Sequence, residues 1–164
     1  MPPGSGPPFY ARMLIAVCDP LAMSGAISLA AAAGGGALVF RQLFDAATGT
    51  FTYLLADVTS RQGLLIDPVF EQHSRDRALI EELGIRLVAS LDTHAHADHV
   101  TGSWLLHEAT GCAIGLAAAI GAEHVTLPLR DGDRVVFGER ALEVCSTPGH
   151  TDGCLSFVLD DRSL

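Results

Sequence analysis

The sequence predicts a mixed α/β domain on two observations. Short apolar runs with strand character recur along the chain, and two intervening stretches repeat their apolar residues at helical spacing. Residues 37–44 and 50–57 read as strands joined by a turn-rich connection at 45–49. Residues 63–66 form a short apolar strand ending at Asp67-Pro68, where a proline without an N–H stops the ladder. In 75–83, Ala78, Leu79 and Leu83 fall on one helical face, and Gly84 is the stop signal. A strand at 86–91 follows, then a helix at 100–110 with Trp104, Leu105 and Ala109 turned inward and Gly111 at its end. Short strands are expected at 113–115, 134–137, 142–146 and 155–159, with turns at Asp131-Gly132 and Asp160-Asp161. Neither an internal repeat nor an interdomain linker is visible.

At 164 residues the chain suits one domain with a real core. It is 49% hydrophobic and 18% charged, a globular composition. The net charge is −9 and every basic residue is an arginine, which argues against a nucleic-acid or anionic-membrane partner. Cys18, Cys112, Cys145 and Cys154 lie far apart without a C-x-x-C pair, so a disulfide framework is not expected and a reducing cytoplasm is the default. Cys154, just before an apolar strand, reads as a small buried hydrophobe. The leader 1–36 is set apart from the domain at 37–164. It opens with a Pro/Gly stretch, and Asp19-Pro20 interrupts its apolar part, a poor fit to a signal peptide or membrane span. It is expected to be disordered, or to follow a misplaced start codon.

Chemistry concentrates just after the strand at 86–91. Residues 94–99 carry His94, His96, Asp98 and His99. In an extended stretch alternate side chains share a side, so His94, His96 and Asp98 can converge while His99 reaches a second position. Imidazoles with a carboxylate suit zinc, iron or manganese. About fifty residues later Pro148 and Gly149 force a sharp exit that can aim His150 back at the first loop. Ligands from separate elements with an open position are what a catalytic metal requires. His73, His107 and His124 lack such context and are read as ordinary surface or capping residues, and Trp104 as core.

H-x-H-x-D-H followed by G-H-T resembles the metallo-β-lactamase superfamily, which includes glyoxalase II. Within it the chain is most similar to the persulfide dioxygenase (sulfur dioxygenase) family, through the stretches 40–44, 50–55, 65–69, 92–103 and 148–154. The resemblance runs from about residue 38 to 164 and implies an αββα sandwich, of which this chain carries the N-terminal part. It implies one Fe(II) per chain, with His94 and His150 as ligands and an aspartate expected beyond Leu164 as the third. His96, Asp98 and His99 would then orient ligands or, as in glyoxalase II relatives, share two Zn(II) ions with His94 and His150. The implied reaction oxidises glutathione persulfide with O2 to sulfite and glutathione, since a facial triad leaves positions for both the persulfide sulfur and O2.

The alternatives are a glyoxalase-II-like thioester hydrolase and a non-catalytic remnant. A small-molecule persulfide and O2 are the expected partners, with no nucleic acid and no membrane; a homodimer is compatible with the family. The expected location is cytoplasmic, or mitochondrial in a eukaryote. Asp160 and Asp161, at a predicted turn, are poor substitutes for the family's carboxylate. The 164-residue chain is therefore expected to be a fragment, inactive and poorly soluble, without most glutathione contacts.

Overall fold

The computed structural model describes residues 13–15 and 37–160. In chain order its elements are β1 (Met13–Ile15), β2 (Leu38–Asp45), β3 (Thr50–Asp57), β4 (Gln62–Ile66), α1 (His73–Glu82), β5 (Arg86–Leu91), α2 (Ser103–Thr110), β6 (Ala113–Ala117), β7 (Leu127–Leu129), β8 (Arg134–Phe137), β9 (Arg140–Ser146) and β10 (Leu155–Asp160). Two sheets result, one ordered β2-β3-β4-β5-β6-β7 and one ordered β1-β10-β9-β8. The first is antiparallel from β2 to β4 and parallel from β4 to β7, with α1 and α2 in the crossovers. The second is antiparallel throughout.

Period-2 alternation assigns the first sheet's side chains to two cores. Tyr53 and Leu55 of β3, with Leu64 and Ile66 of β4, meet Phe137, Leu142, Val144, Leu155 and Phe157 of the second sheet in one buried cluster. Leu54, Ala56 and Leu65 point the other way, where Ile80 of α1 and Leu106 of α2 cover them. A register shift opposite Gly63/Leu64 pairs Gly63 with Leu87 but Leu64 with Ala89. This bulge lets Leu87 face the helices while Ala89 and Leu91 face the second sheet. Two helices over a sheet over a sheet are thus the layers among the described residues.

Gly63 is required by close approach. A Cβ there would sit 2.7 Å from the Leu55 carbonyl oxygen and 2.7 Å from Ile85 Cγ2. The carbonyl belongs to a paired strand and cannot swing aside, so Gly63→Ala is expected to destabilise the fold by about 1–3 kcal/mol. Urea denaturation checks it; an unchanged midpoint would show that the β3–β4 pair yields easily.

Several expectations need correction. Three residues of the leader, Met13–Ile15, pair with Leu159, Val158 and Phe157 along one edge of β10. The rest of the leader, including Cys18, lies outside the described residues, as does Asp161. Asp160 is no turn residue but the last of β10, paired with Ala141. In α1 the buried apolar residue is Ile80, while Ala78 is exposed and Leu79 and Leu83 are only half-buried. The second helix starts at Ser103 rather than 100, because Thr101 is engaged in a bridge with Val69 and Phe70 N–H bonds to the Val100 carbonyl. That start turns Ser103 and Leu106 inward and leaves Ala109 exposed. Trp104 is 45% exposed rather than core, with its ring against His107 and His124. Strand β7 was not anticipated: it is three residues long and contains Pro128, which an edge position tolerates.

Candidate metal centre

The ends of β4, β5 and β9 bring the chemistry together. β4 delivers Asp67, β5 delivers Asp92 and the histidine loop, and the loop after β9 carries His150. The two loops are tied by the Leu155 N–H, which donates to the Thr93 carbonyl at 2.8 Å, so the second sheet carries His150 to the first.

The histidine loop is bent rather than extended, so simple alternation does not hold. His94 and His96 stand with ring centroids 4.0 Å apart, and His150 meets His94 edge-on at 5.2 Å. The ring of His96 lies 4.2 Å from that of His99. Donor atoms of His96, Asp98 and His99 all lie within 4.8 Å of one another. Asp98, expected with His94 and His96, instead joins His99, its Oδ2 lying 3.3 Å from His99 Nδ1. All five predicted residues are therefore adjacent, in two overlapping groups: His94, His96 and His150, then His96, Asp98 and His99.

Hydrogen bonding orients these rings. Asp67 accepts from the Thr93 N–H at 2.7 Å and from its hydroxyl at 2.8 Å. With its proton given to Asp67, Thr93 Oγ1 accepts from His94 Nδ1–H at 2.9 Å, which leaves His94 Nε2 with a free lone pair. Asp67 also accepts from His96 Nε2–H at 3.1 Å, leaving Nδ1 of the neutral His96 ring with its lone pair. His99 Nδ1 lies 3.3 Å from Thr50 Oγ1, and its Nε2 is buried without any hydrogen-bond partner. A buried ring nitrogen left unpaired is costly unless something binds it. Together with the imidazole-rich donor set, it shows that these residues fit a metal ion.

Electrostatics follow the same arrangement. Burial, with the neighbouring His96 charge, holds His94 below its ordinary value and so favours the neutral, ligating form. Burial works against a charge on His96, yet the Asp67 hydrogen bond and charge outweigh it and raise His96. Burial, with the Asp67 charge adding, pushes Asp92 up to about 7. With its value raised, the folded chain keeps a proton that the unfolded chain has released. The associated stability is full below about 4 and is lost as pH rises to about 7. In metal-free protein, the wild type is expected to lose on the order of 1 kcal/mol per pH unit across that window relative to Asp92→Asn. Identical pH slopes in urea denaturation of the two chains would rule this out.

Asp67 and Asp92 were not singled out as site residues by sequence reasoning, although both are buried and share a cluster with His96. Each sits one residue past an apolar strand, the only local signal either offered; Asp67 with Pro68 reads only as the end of the 63–66 strand. His73 and His107 make local contacts instead, to the carbonyls of Phe70 and Cys112. Cys154 is buried as expected, its sulfur engaged by Thr151.

The family model described as the Metallo-beta-lactamase superfamily matches residues 46–164. This chain belongs to that superfamily. Its metallo-β-lactamase fold is seen again in the crystal structure of ETHE1 from Myxococcus xanthus, with a TM-score of 0.71 and 44% identity over 74% of this chain and 53% of that one. Among curated relatives it is 48% identical to the mitochondrial persulfide dioxygenase ETHE1 of Homo sapiens, over 79% of this chain and 51% of the relative. It is 34% identical to a hydroxyacylglutathione hydrolase of Cereibacter sphaeroides, over 70% of this chain and 45% of the relative. The metallo-β-lactamase chain thus spans about half the length of the curated relatives it matches. No helix among its described residues is long and apolar enough to cross a membrane.

Proposed function

We propose that the protein carrying this chain is a persulfide dioxygenase that oxidises glutathione persulfide with O2, using one Fe(II). The observation that carries the reading is the 48% identity to a persulfide dioxygenase, well above the 34% to a thioester hydrolase. The reaction balances as glutathione persulfide, O2 and water giving glutathione, sulfite and two protons. Iron would supply the redox capacity for O2, which a closed-shell persulfide lacks.

The chain's own residues prepare the site for that chemistry. His94 Nε2 and His150 would hold the ion, with the carboxylate that the family resemblance adds. Thr93 fixes the His94 tautomer, and Asp67 holds Thr93 and His96 in place. A cytoplasmic location is expected, or a mitochondrial one in a eukaryotic cell.

The second reading is a two-zinc thioester hydrolase, favoured by the unpaired His99 Nε2 beside Asp98. An oxygen electrode separates the two on the intact gene product. Uptake of one O2 per sulfite formed from glutathione persulfide supports the dioxygenase. Thiol release from a glutathione thioester, without O2 uptake, overturns it in favour of the hydrolase. Failure of both assays with no bound metal would indicate a non-catalytic remnant.

A further inference from the structure

The residue that opens the histidine loop is bonded to the residues that close it. Asp92 is 4% exposed and follows β5 directly. Its Oδ1 accepts from the Thr101 hydroxyl at 2.8 Å and its Oδ2 from the Ser103 hydroxyl at 3.0 Å. Ser90, on β5, lies 2.9 Å from Ser103 Oγ. The proton count closes. Thr101 and Ser103 each give their one hydroxyl proton to Asp92, and Ser90 donates to Ser103. With Asp92 ionised, every hydroxyl proton of the cluster has an acceptor; Ser90, Asp92 and Ser103 are buried and Thr101 is half-buried.

The cluster bridges the whole segment that bears His94, His96, Asp98 and His99. At one end the Asp92 N–H is anchored on the Gly115 carbonyl of β6 at 2.9 Å. At the other, the Gly102 N–H is anchored on the Pro68 carbonyl at 2.7 Å, and Ser103 begins α2. Between these anchors the chain runs as an irregular loop, held by isolated backbone bonds at Thr93 and Val100 and by side-chain bonds rather than by a continuous ladder.

We infer that Asp92 is a positioning residue for the metal centre: by bonding the hydroxyls of Thr101 and Ser103 it closes the loop 92–103 and sets where the histidines aim. In this role its two carboxylate oxygens are taken up by the hydroxyls of Thr101 and Ser103, and it acts through the loop. The inference rests on the metal-centre reading of His94, His96 and His150. Asparagine can keep half of the arrangement, because its Oδ1 still accepts one hydroxyl and its Nδ2–H can donate to the other. Alanine keeps neither bond to the start of the loop, and the Thr101 and Ser103 hydroxyls are left only with each other, 3.0 Å apart, and with Ser90.

The test is Co(II) titration of the metal-free intact gene product, reading the visible d–d spectrum and the Kd together. Asp92→Ala is expected to raise the Co(II) Kd by about 10–100-fold and to shift the bands. Asp92→Asn is expected to stay near the wild type in both. Thr101→Val, which removes one donor from the far end of the loop, should move Kd and spectrum in the direction of the alanine variant. A purely structural role would lower the urea midpoint of Asp92→Ala while its folded fraction kept the wild-type Co(II) spectrum and Kd, and that result overturns the inference. Should Asp92→Ala not fold, an unchanged spectrum and Kd in Thr101→Val overturns it equally. Absence of Co(II) binding by the wild type overturns the metal-centre reading itself, a distinguishable outcome.

Discussion

Phe157→Ala is expected to cost about 3–5 kcal/mol, enough to consume much of the 5–15 kcal/mol typical of a whole domain. Phe157 is fully buried on β10, pairs with Val144 of β9, and stands in the cluster where the two sheets meet. Removing the ring deletes a large apolar group and leaves a cavity. Its surroundings are strands locked by ladder hydrogen bonds on both sides, so collapse into the hole is limited. Val136→Ala is the control, because Val136 is 60% exposed on β8, two strands away in the same sheet, and should change stability by no more than about 0.5 kcal/mol. Chemical denaturation at one pH decides it. A loss below about 1 kcal/mol for Phe157→Ala would mean that the sheets are not held together by this core.

The second large effect is functional. His94→Ala removes the nitrogen that Thr93 leaves free, at the point where the His96 and His150 rings both approach. The intact gene product is expected to lose metal affinity by more than about 100-fold, since even changes one bond further out typically cost 10–100-fold. Its fold should persist, because Thr93 keeps both bonds to Asp67. His73→Ala should retain metal fully, as that ring contacts the Phe70 carbonyl and Ser74. Metal content after dialysis, measured by elemental analysis, checks both. Equal retention in His94→Ala and wild type would exclude His94 as a ligand.

The local signals proved uneven in a way that chemistry explains. Strands 50–57, 86–91 and 134–137 were readable to the residue, because continuous apolar or alternating runs bounded by turn residues leave little room for another register. Gly84 and Gly111 marked helix ends because each adopts positive φ, which other residues resist. Trp104 was misjudged for a corresponding reason. Helical spacing identifies an apolar stripe, but a three-residue difference in where the helix begins changes which face meets the sheet. The 142–146 strand was seen but begins earlier, at Arg140, whose local composition does not distinguish strand from turn.

For the site the division is sharper. The sequence by itself determined the candidate donor types, their clustering at 94–99, and the return of His150 after a Pro-Gly exit, because spacing at a strand end is a local property. It also determined the acidic charge and the absence of a C-x-x-C pair. Tertiary structure alone decided that Asp67, on a different strand from the histidines, bonds Thr93 and His96, and that Asp92 reaches across the loop to Thr101 and Ser103. It decided likewise that three leader residues pair along β10 of the second sheet. These partnerships depend on which strands lie side by side. Sheet order is a property of long-range packing between residues far apart in the chain, and no local pattern of residue types records it.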